Sequence, residues 1–204
     1  MSTNELIKII NRLYKPSEYA GIRERAYSLI ANYKASRYVK VDDRVTVLFE
    51  DAATVWFQIE ETVFLEGTDD VNVLQEAVKT YSPMIPSRDE LSITLFIYLY
   101  NYEELRNLLP KYNGVQDTVT VSIGNVSLKA RPIYPGDYGP GAQPRSIHYL
   151  KVSHAGLRDL LRTVNSITLS VGHPMVNKSV EIKGDVLESL RSSITREDVD
   201  WVIR

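Results

Sequence analysis

Residues 166–171 read Ser-Ile-Thr-Leu-Ser-Val, with polar and apolar positions in strict alternation. Side chains two apart on a strand share a face, so this run predicts a half-buried β-strand with Ile167, Leu169 and Val171 inward. Gly172-His173-Pro174 follows. Glycine and proline interrupt a ladder, so His173 is expected where pairing stops and the chain turns. A second alternating run starts at Glu90, with Leu91, Ile93, Leu95, Ile97 and Leu99 on one face. Phe96, Tyr98 and Tyr100 lie on the other, and an aromatic second face predicts burial on both sides at that end. Val119, Val121 and Ile123 form one strand and Val126, Leu128 and Ala130 the next, with only Gly124-Asn125 between them. Glycine at the first central position is what a type II′ hairpin requires. Residues 145–152 read as a further strand that places His148 in phase with Leu150 and Val152. An edge strand is expected at 179–182.

The first third has a helical period instead. Leu6, Ile7, Ile9, Ile10 and Leu13 make a short apolar segment halted at Pro16. Ser17 is the expected N-cap of a helix carrying Ile22, Ala26, Leu29 and Tyr33 on one face. Two short strands, 38–41 and 44–50, flank an Asp42-Asp43 turn. Ala52–Glu66 fits either period. Helix is favoured, because a chain this long needs something to cover its sheet. Asp69 or Asp70 caps the next helix, with Val71, Leu74 and Val78 on its buried side, and Pro83 and Pro86 end it. A short helix around Leu105 and Leu108, another through Leu157, Leu160 and Leu161, and a last one through Leu187 and Leu190 complete the pattern. Thr195 with Asp198 three residues on reads as a capping box.

Helices followed by closely spaced, hairpin-joined strands predict an α+β protein with a mostly antiparallel sheet and helices packed on it. The expected organisation is a single domain over residues 1–204, helix-rich over 1–87 and sheet-rich over 88–204. Residues 132–145 hold four prolines and three glycines, too many for a regular element. A loop of that length is either an excursion or a lid over a site.

Composition narrows the chemistry. Hydrophobic residues make up 44% of the 204 and charged residues 25%, ordinary for a globular chain. The formal net charge of -2 lacks the basic excess of a nucleic-acid binder. Arg23, Arg25, Lys34, Arg37 and Lys40 are interleaved with Glu18, Glu24, Asp42 and Asp43, which reads as a mixed solvated face. There is no cysteine, so no thiolate-bound cluster or cysteine-ligated zinc can form, and the identity of any cofactor stays open. No apolar run reaches the ~18–20 residues of a membrane span. The first residues lack a signal-peptide pattern, so the expected location is cytoplasmic.

His148 and His173 are the candidate ligand-binding imidazoles, joined by Glu50, Gln58, Glu61 and Glu90 at strand ends and on the 52–66 segment. Neutral imidazole ligates metals and carries protons near neutral pH, so His148, His173 and Glu61 are also the metal candidates. His154 reads as a surface or capping residue. No His-Glu-x-x-His, paired Glu-x-x-His, Gly-x-Ser-x-Gly or Gly-rich phosphate motif is present. The thirteen tyrosines, with those at 98, 100 and 102 close together, suit a pocket or a homo-oligomeric surface, and sheet packing accounts for them equally well.

The order of Glu18-Tyr19 with Arg23, Arg37, Phe49-Glu50, Thr54, Gln58, Glu61, Tyr81, Ile85-Pro86, Glu90-Leu91, Thr94, Ser146-Ile147-His148 and Gly172-His173-Pro174 resembles a prokaryotic family of about this length known only as a domain of unknown function. The likeness runs from about residue 16 to 194. It implies a redox or peroxide-stress setting and a redox protein partner, since members are encoded near rubrerythrin-like proteins and iron–sulfur oxidoreductases. It assigns no activity and no catalytic residue. The expectation is a binding or accessory protein with a His/carboxylate pocket. The alternative is a metal-dependent or acid–base enzyme using His173, His148 and strand-end glutamates.

Overall fold

The computed structural model describes residues 2–202. It is an α+β protein with two antiparallel sheets and packed helices, and it divides into two compact units. The first comprises residues 1–36, 50–88 and 193–204, the second residues 37–49 and 89–192.

Among the described residues five α-helices build the first unit: α1 (Ser2–Ile10), α2 (Pro16–Tyr19), α3 (Arg23–Ala35), α4 (Ala52–Glu66) and α5 (Val71–Tyr81). Ser17 is not an N-cap. Pro16 takes the first helical position of α2 after Lys15, where its missing N–H costs nothing. Ser17 instead donates its backbone N–H and hydroxyl to Asp69, at 3.0 and 2.5 Å. That leaves Asp70 as the cap of α5, accepting from Asn72 N–H. Val71, expected inward, is exposed, and Ala77 and Val78 carry the burial.

The ambiguous 52–66 segment is helical because Asp51 and Thr54 form a reciprocal cap, each side chain meeting the other's backbone N–H. Trp56 sits at the centre of this unit's core with Leu6, Ile10, Tyr19 and Ile30. Tyr14 and Tyr19 meet its indole edge-on at 6.1 and 6.0 Å, the geometry that the ring quadrupole favours.

The second unit holds β1 (Tyr38–Lys40), β2 (Val45–Glu50, whose last residue opens the first unit's central stretch) and β3 (Glu90–Ile97). Next come α6 (Tyr102–Asn107), β4 (Val119–Ile123), β5 (Val126–Lys129) and β6 (Arg131–Pro132). The unit ends with β7 (Ile147–Ser153), α7 (Leu157–Thr163), β8 (Ile167–His173), β9 (Val176–Ile182) and α8 (Gly184–Arg191). One sheet has the order β1-β2-β3-β7-β6, the other β5-β4-β8-β9. Inward residues of both, among them Ile93, Leu95, Leu150, Val121, Ile123 and Leu169, belong to one core.

Gly124 turns the β4–β5 hairpin at φ +57°, and Asn125 stays at negative φ, as the II′ turn demands. β3 is buried on both faces at its start, where Ser92 and Thr94 lie inward. Its aromatic end is the open one. The strand stops at Ile97, and Tyr98, Tyr100 and Tyr102 are exposed. The guanidinium of Arg44 lies 4.9 Å over the Tyr100 ring.

His173 also departs from expectation. Pairing does not stop before it: Gly172 faces Asn177 and His173 faces Val176 in the β8–β9 ladder. The turn is Pro174-Met175, so proline occupies the loop and not the strand, and the imidazole is 93% buried. β9 forms the sheet edge from Val176, three residues earlier than expected.

Candidate functional site

The residues that form a polar cleft all lie in the second unit. Alternation along β7 turns His148, Leu150 and Val152 to the interior, with His148 opposite Leu95 of β3. The Gly/Pro segment before β7 leaves and rejoins that same strand. Arg131 and Pro132 pair with Lys151 and Leu150, and the Ile133 N–H donates to the Tyr149 carbonyl at 2.9 Å. At its far end Arg145 is ion-paired with Asp137 at 3.0 Å. Gly139, at φ +133°, carries the chain through a conformation that L residues rarely adopt.

This path lays Tyr138 on His148. The rings stack with centroids 5.7 Å apart and planes 15° from parallel, and the Tyr138 hydroxyl is 2.9 Å from Nδ1. Burial pushes the phenol up to about 12, so it keeps its proton. Nε2 is buried and has no hydrogen-bond partner among the described residues. Burial lowers the imidazole to about 4, opposed in part by a hydrogen bond of the ring to the Arg145 backbone. His148 is therefore neutral at physiological pH.

The facing wall is the segment around Asn113, Gly114 and Gln116, and His173 holds it from behind. The Met175 N–H can only donate, and it meets Nδ1 of His173 at 3.2 Å. The proton must then sit on Nε2, which donates to the Asn113 carbonyl at 3.0 Å. The ring stacks on Tyr112 at 6.1 Å. Gln116, largely buried, gives its amide to Asp117 at 2.8 Å. Between the walls, with Gln143 and Ala142 at the rim, is a cleft of about 180 Å³. That is well above the ~10–15 Å³ that admits one water and below the ~300–1,000 Å³ of drug-sized sites.

Of the sequence candidates, only His148 lines this cleft, and His173 supports its wall. Glu90 pairs with Lys151 at 3.1 Å. The other three belong to the first unit. Glu61 receives Arg23 through two donors, at 2.9 and 2.8 Å, and the Tyr19 hydroxyl at 2.9 Å. Arg23 first, and Tyr19 after it, hold the Glu61 carboxyl below its ordinary range. Gln58 is exposed and Glu50 is buried at the end of β2. Among the described residues no group of three or more His, Asp or Glu side chains is placed to hold a metal. His154 receives the Leu157 N–H on its carbonyl at the start of α7, as a capping residue would. Tyr138, Gln143 and Arg145 escaped residue-level reading. Their signal was the composition of the 132–145 loop, which marked a lid without saying which side chains it carries.

Removing the hydroxyl by Tyr138→Phe is expected to let both neutral tautomers of His148 populate, at a stability cost of about 1 kcal/mol. The ¹⁵N shifts of the imidazole report this directly. Shifts identical to wild type would show that the hydroxyl does not set the tautomer.

Fold and cleft together define a two-sheet α+β protein with a neutral buried histidine under a Gly/Pro-rich loop. The chain belongs to the family described as protein of unknown function (DUF3501), whose model matches residues 9–194. Its fold is similar to the crystal structure of a novel protein of unknown function from Burkholderia pseudomallei K96243. The TM-score is 0.80 at 23% identity, over 92% of this chain and 96% of that one. None of the curated proteins matches. Among the described residues no helix is long and apolar enough to cross a membrane.

Proposed function

We propose that the protein is a cytoplasmic binding or accessory module whose ligand occupies the cleft beside His148. The observation that carries this reading is the polar cleft itself, lined by His148, Tyr138, Gln116, Gln143 and Arg145 and by no carboxylate. Acid–base catalysis is the weaker reading. An imidazole with its pKa near 4 is not charged at neutral pH to act as an acid, and the ring is already engaged by the Tyr138 hydroxyl and the Arg145 backbone. The cysteine-free chain suits a partner that binds for a redox system and leaves electron transfer to other proteins.

The test replaces both hydrogen-bonding partners at once. His148→Phe with Tyr138→Phe is expected to stay within about 1 kcal/mol of wild type in urea unfolding, because two apolar rings of similar shape replace the bonded pair. A structural histidine would instead cost about 1–3 kcal/mol. In the wild type, acetate or acetamide at tens of millimolar should move the amide resonances of Gly114, Gly139 and Gln143, and the double variant should not respond. A wild-type spectrum unmoved by both probes overturns the reading.

A further inference from the structure

The face of β7 turned away from His148 carries a strip of aromatic and aliphatic side chains, apart from the cleft and independent of it. Phe96 faces Ile147 in the β3–β7 ladder and Thr94 faces Tyr149, and directly opposed residues share a face. Tyr98, just past the end of β3, stacks on Phe96 with centroids 6.5 Å apart and planes 19° from parallel. Tyr134 meets Tyr149 edge-on at 5.9 Å. Tyr98 and Ile147 are 46% and 40% exposed and the other three are half-buried, so the ring pairs meet water already ordered. Beyond Tyr149 on the same face stands a pair of cations, Lys151 opposite Arg131. Glu90 neutralises Lys151 at 3.1 Å. Arg131 is exposed and makes no ion pair among the described residues.

We infer that this strip docks a proline-rich segment of a partner protein, extended as polyproline II, with an acidic residue of that segment on Arg131. Area argues against a second copy. Aromatic side chains bury about 150–250 Å² each, and none of the five here is more than half exposed. The strip therefore offers on the order of 400 Å², against about 800 Å² per partner in a stable dimer. Length suits a short peptide. From Tyr98 to the row of Arg131 is about 20 Å along the strands at ~3.3 Å per residue, which polyproline covers in about six residues at ~3.1 Å each. A preformed polyproline backbone loses little entropy on docking to aromatic rings, and its solvated carbonyls accept from tyrosine hydroxyls. Charge sets the end: one unpaired cation matches one carboxylate. A nucleic acid would need several cations for its phosphates, and the chain is net negative at -2.

The test titrates ¹⁵N-labelled full-length protein with synthetic hexaproline bearing one aspartate, made with it at either end, and with the lysine counterparts. An aspartate peptide should shift the amides of Phe96, Tyr98, Ile147 and Tyr149 saturably. It should bind about threefold or more tighter than its lysine counterpart, the scale of one exposed charge pair. Arg131→Gln should erase that difference. Tyr98→Ala, with the spectrum elsewhere unchanged, should weaken every peptide about fivefold or more. A Gly/Ser peptide with the same aspartate binding equally well would overturn the polyproline assignment. Equal binding of aspartate and lysine peptides to the wild type would remove Arg131 from the site. Hexathymidylate binding more tightly than any peptide would make the strip a nucleic-acid site instead. A wild-type dimer that Tyr98→Ala converts to monomer would make the occupant a second copy. No response to any probe would defeat the docking surface.

Discussion

Arg37→Ala is expected to cost about 3–5 kcal/mol, the largest loss from any single polar side chain in the molecule. The side chain is fully buried. Its Nε donates to the Phe49 carbonyl at 2.7 Å and its Nη1 to the Ser189 carbonyl at 2.9 Å. The Arg37 carbonyl accepts from the Phe49 N–H at 3.0 Å. One planar fork thus ties β2 to the last turn of α8, within the second unit. Truncation opens a cavity and strips charge-assisted donors from the buried Phe49 carbonyl and the part-buried Ser189 carbonyl, each such bond contributing about 1.5–3 kcal/mol. Arg37→Met separates the two effects: it restores most of the volume and none of the donors. Urea unfolding should place it between Ala and wild type, still about 2 kcal/mol or more below wild type. Arg37→Lys should recover little of that, because a single ammonium cannot present a fork to two carbonyls. An Arg37→Met protein as stable as wild type would show that packing, not the fork, matters at this position.

The same residue shows where sequence reasoning ends. Between Lys34 and Lys40, and interleaved with acidic neighbours, Arg37 looks like part of a solvated face, and for Lys40 that is correct: it pairs with Asp43 in the open. Nothing local marks Arg37 as different, because its partner at Ser189 lies 152 positions away. What the chain discloses is what two or four residues determine: the Gly124-Asn125 turn, the alternation of β4, β7 and β8, the Thr195–Asp198 cap. Errors begin where one local rule competes with another. Ser17 is a good cap by type, but Pro16 starts the helix two residues earlier than that cap would and Asp69 takes the hydroxyl. Gly172 and Pro174 are both breakers by type, yet the glycine is tolerated in a ladder and only the proline turns. The cleft was half legible for the same reason. The phase of His148 follows from its strand, whereas Tyr138 reaches it only because the loop leaves β7 and returns to it.

Glu60→Gln is expected to abolish a fall in stability that the wild type undergoes between about pH 4.5 and pH 8. Glu60 is on α4, one residue before the well-paired Glu61, and is 99% buried. Its Oε1 accepts the Tyr14 N–H at 2.8 Å. Beside it the Trp56 indole donates to the Arg12 carbonyl at 2.8 Å, so two groups of α4 hold the segment joining α1 and α2. Burial raises the Glu60 carboxyl from its ordinary 4.5 to about 8. The Tyr14 N–H and Arg12 oppose that rise, and the charges of Glu18 and Glu61 reinforce it. Below pH 4.5 both folded and unfolded chains hold the proton, and this group adds no pH dependence. Between 4.5 and 8 the unfolded chain has released it and the folded one has not, so stability declines as pH rises, by at most about 1.4 kcal/mol per unit. Above 8 both are ionised and the loss is complete, on the order of a few kcal/mol. Glutamine keeps the acceptor for Tyr14 and has no proton to lose. At pH 5 the variant and wild type should agree within about 1 kcal/mol, and by pH 8.5 the variant should be the more stable. The difference between their urea-unfolding free energies across that range isolates Glu60 from every other titrating group. Parallel curves would mean that the Glu60 carboxyl is already ionised in the folded protein at neutral pH, held by Arg12 and the Tyr14 N–H against its burial.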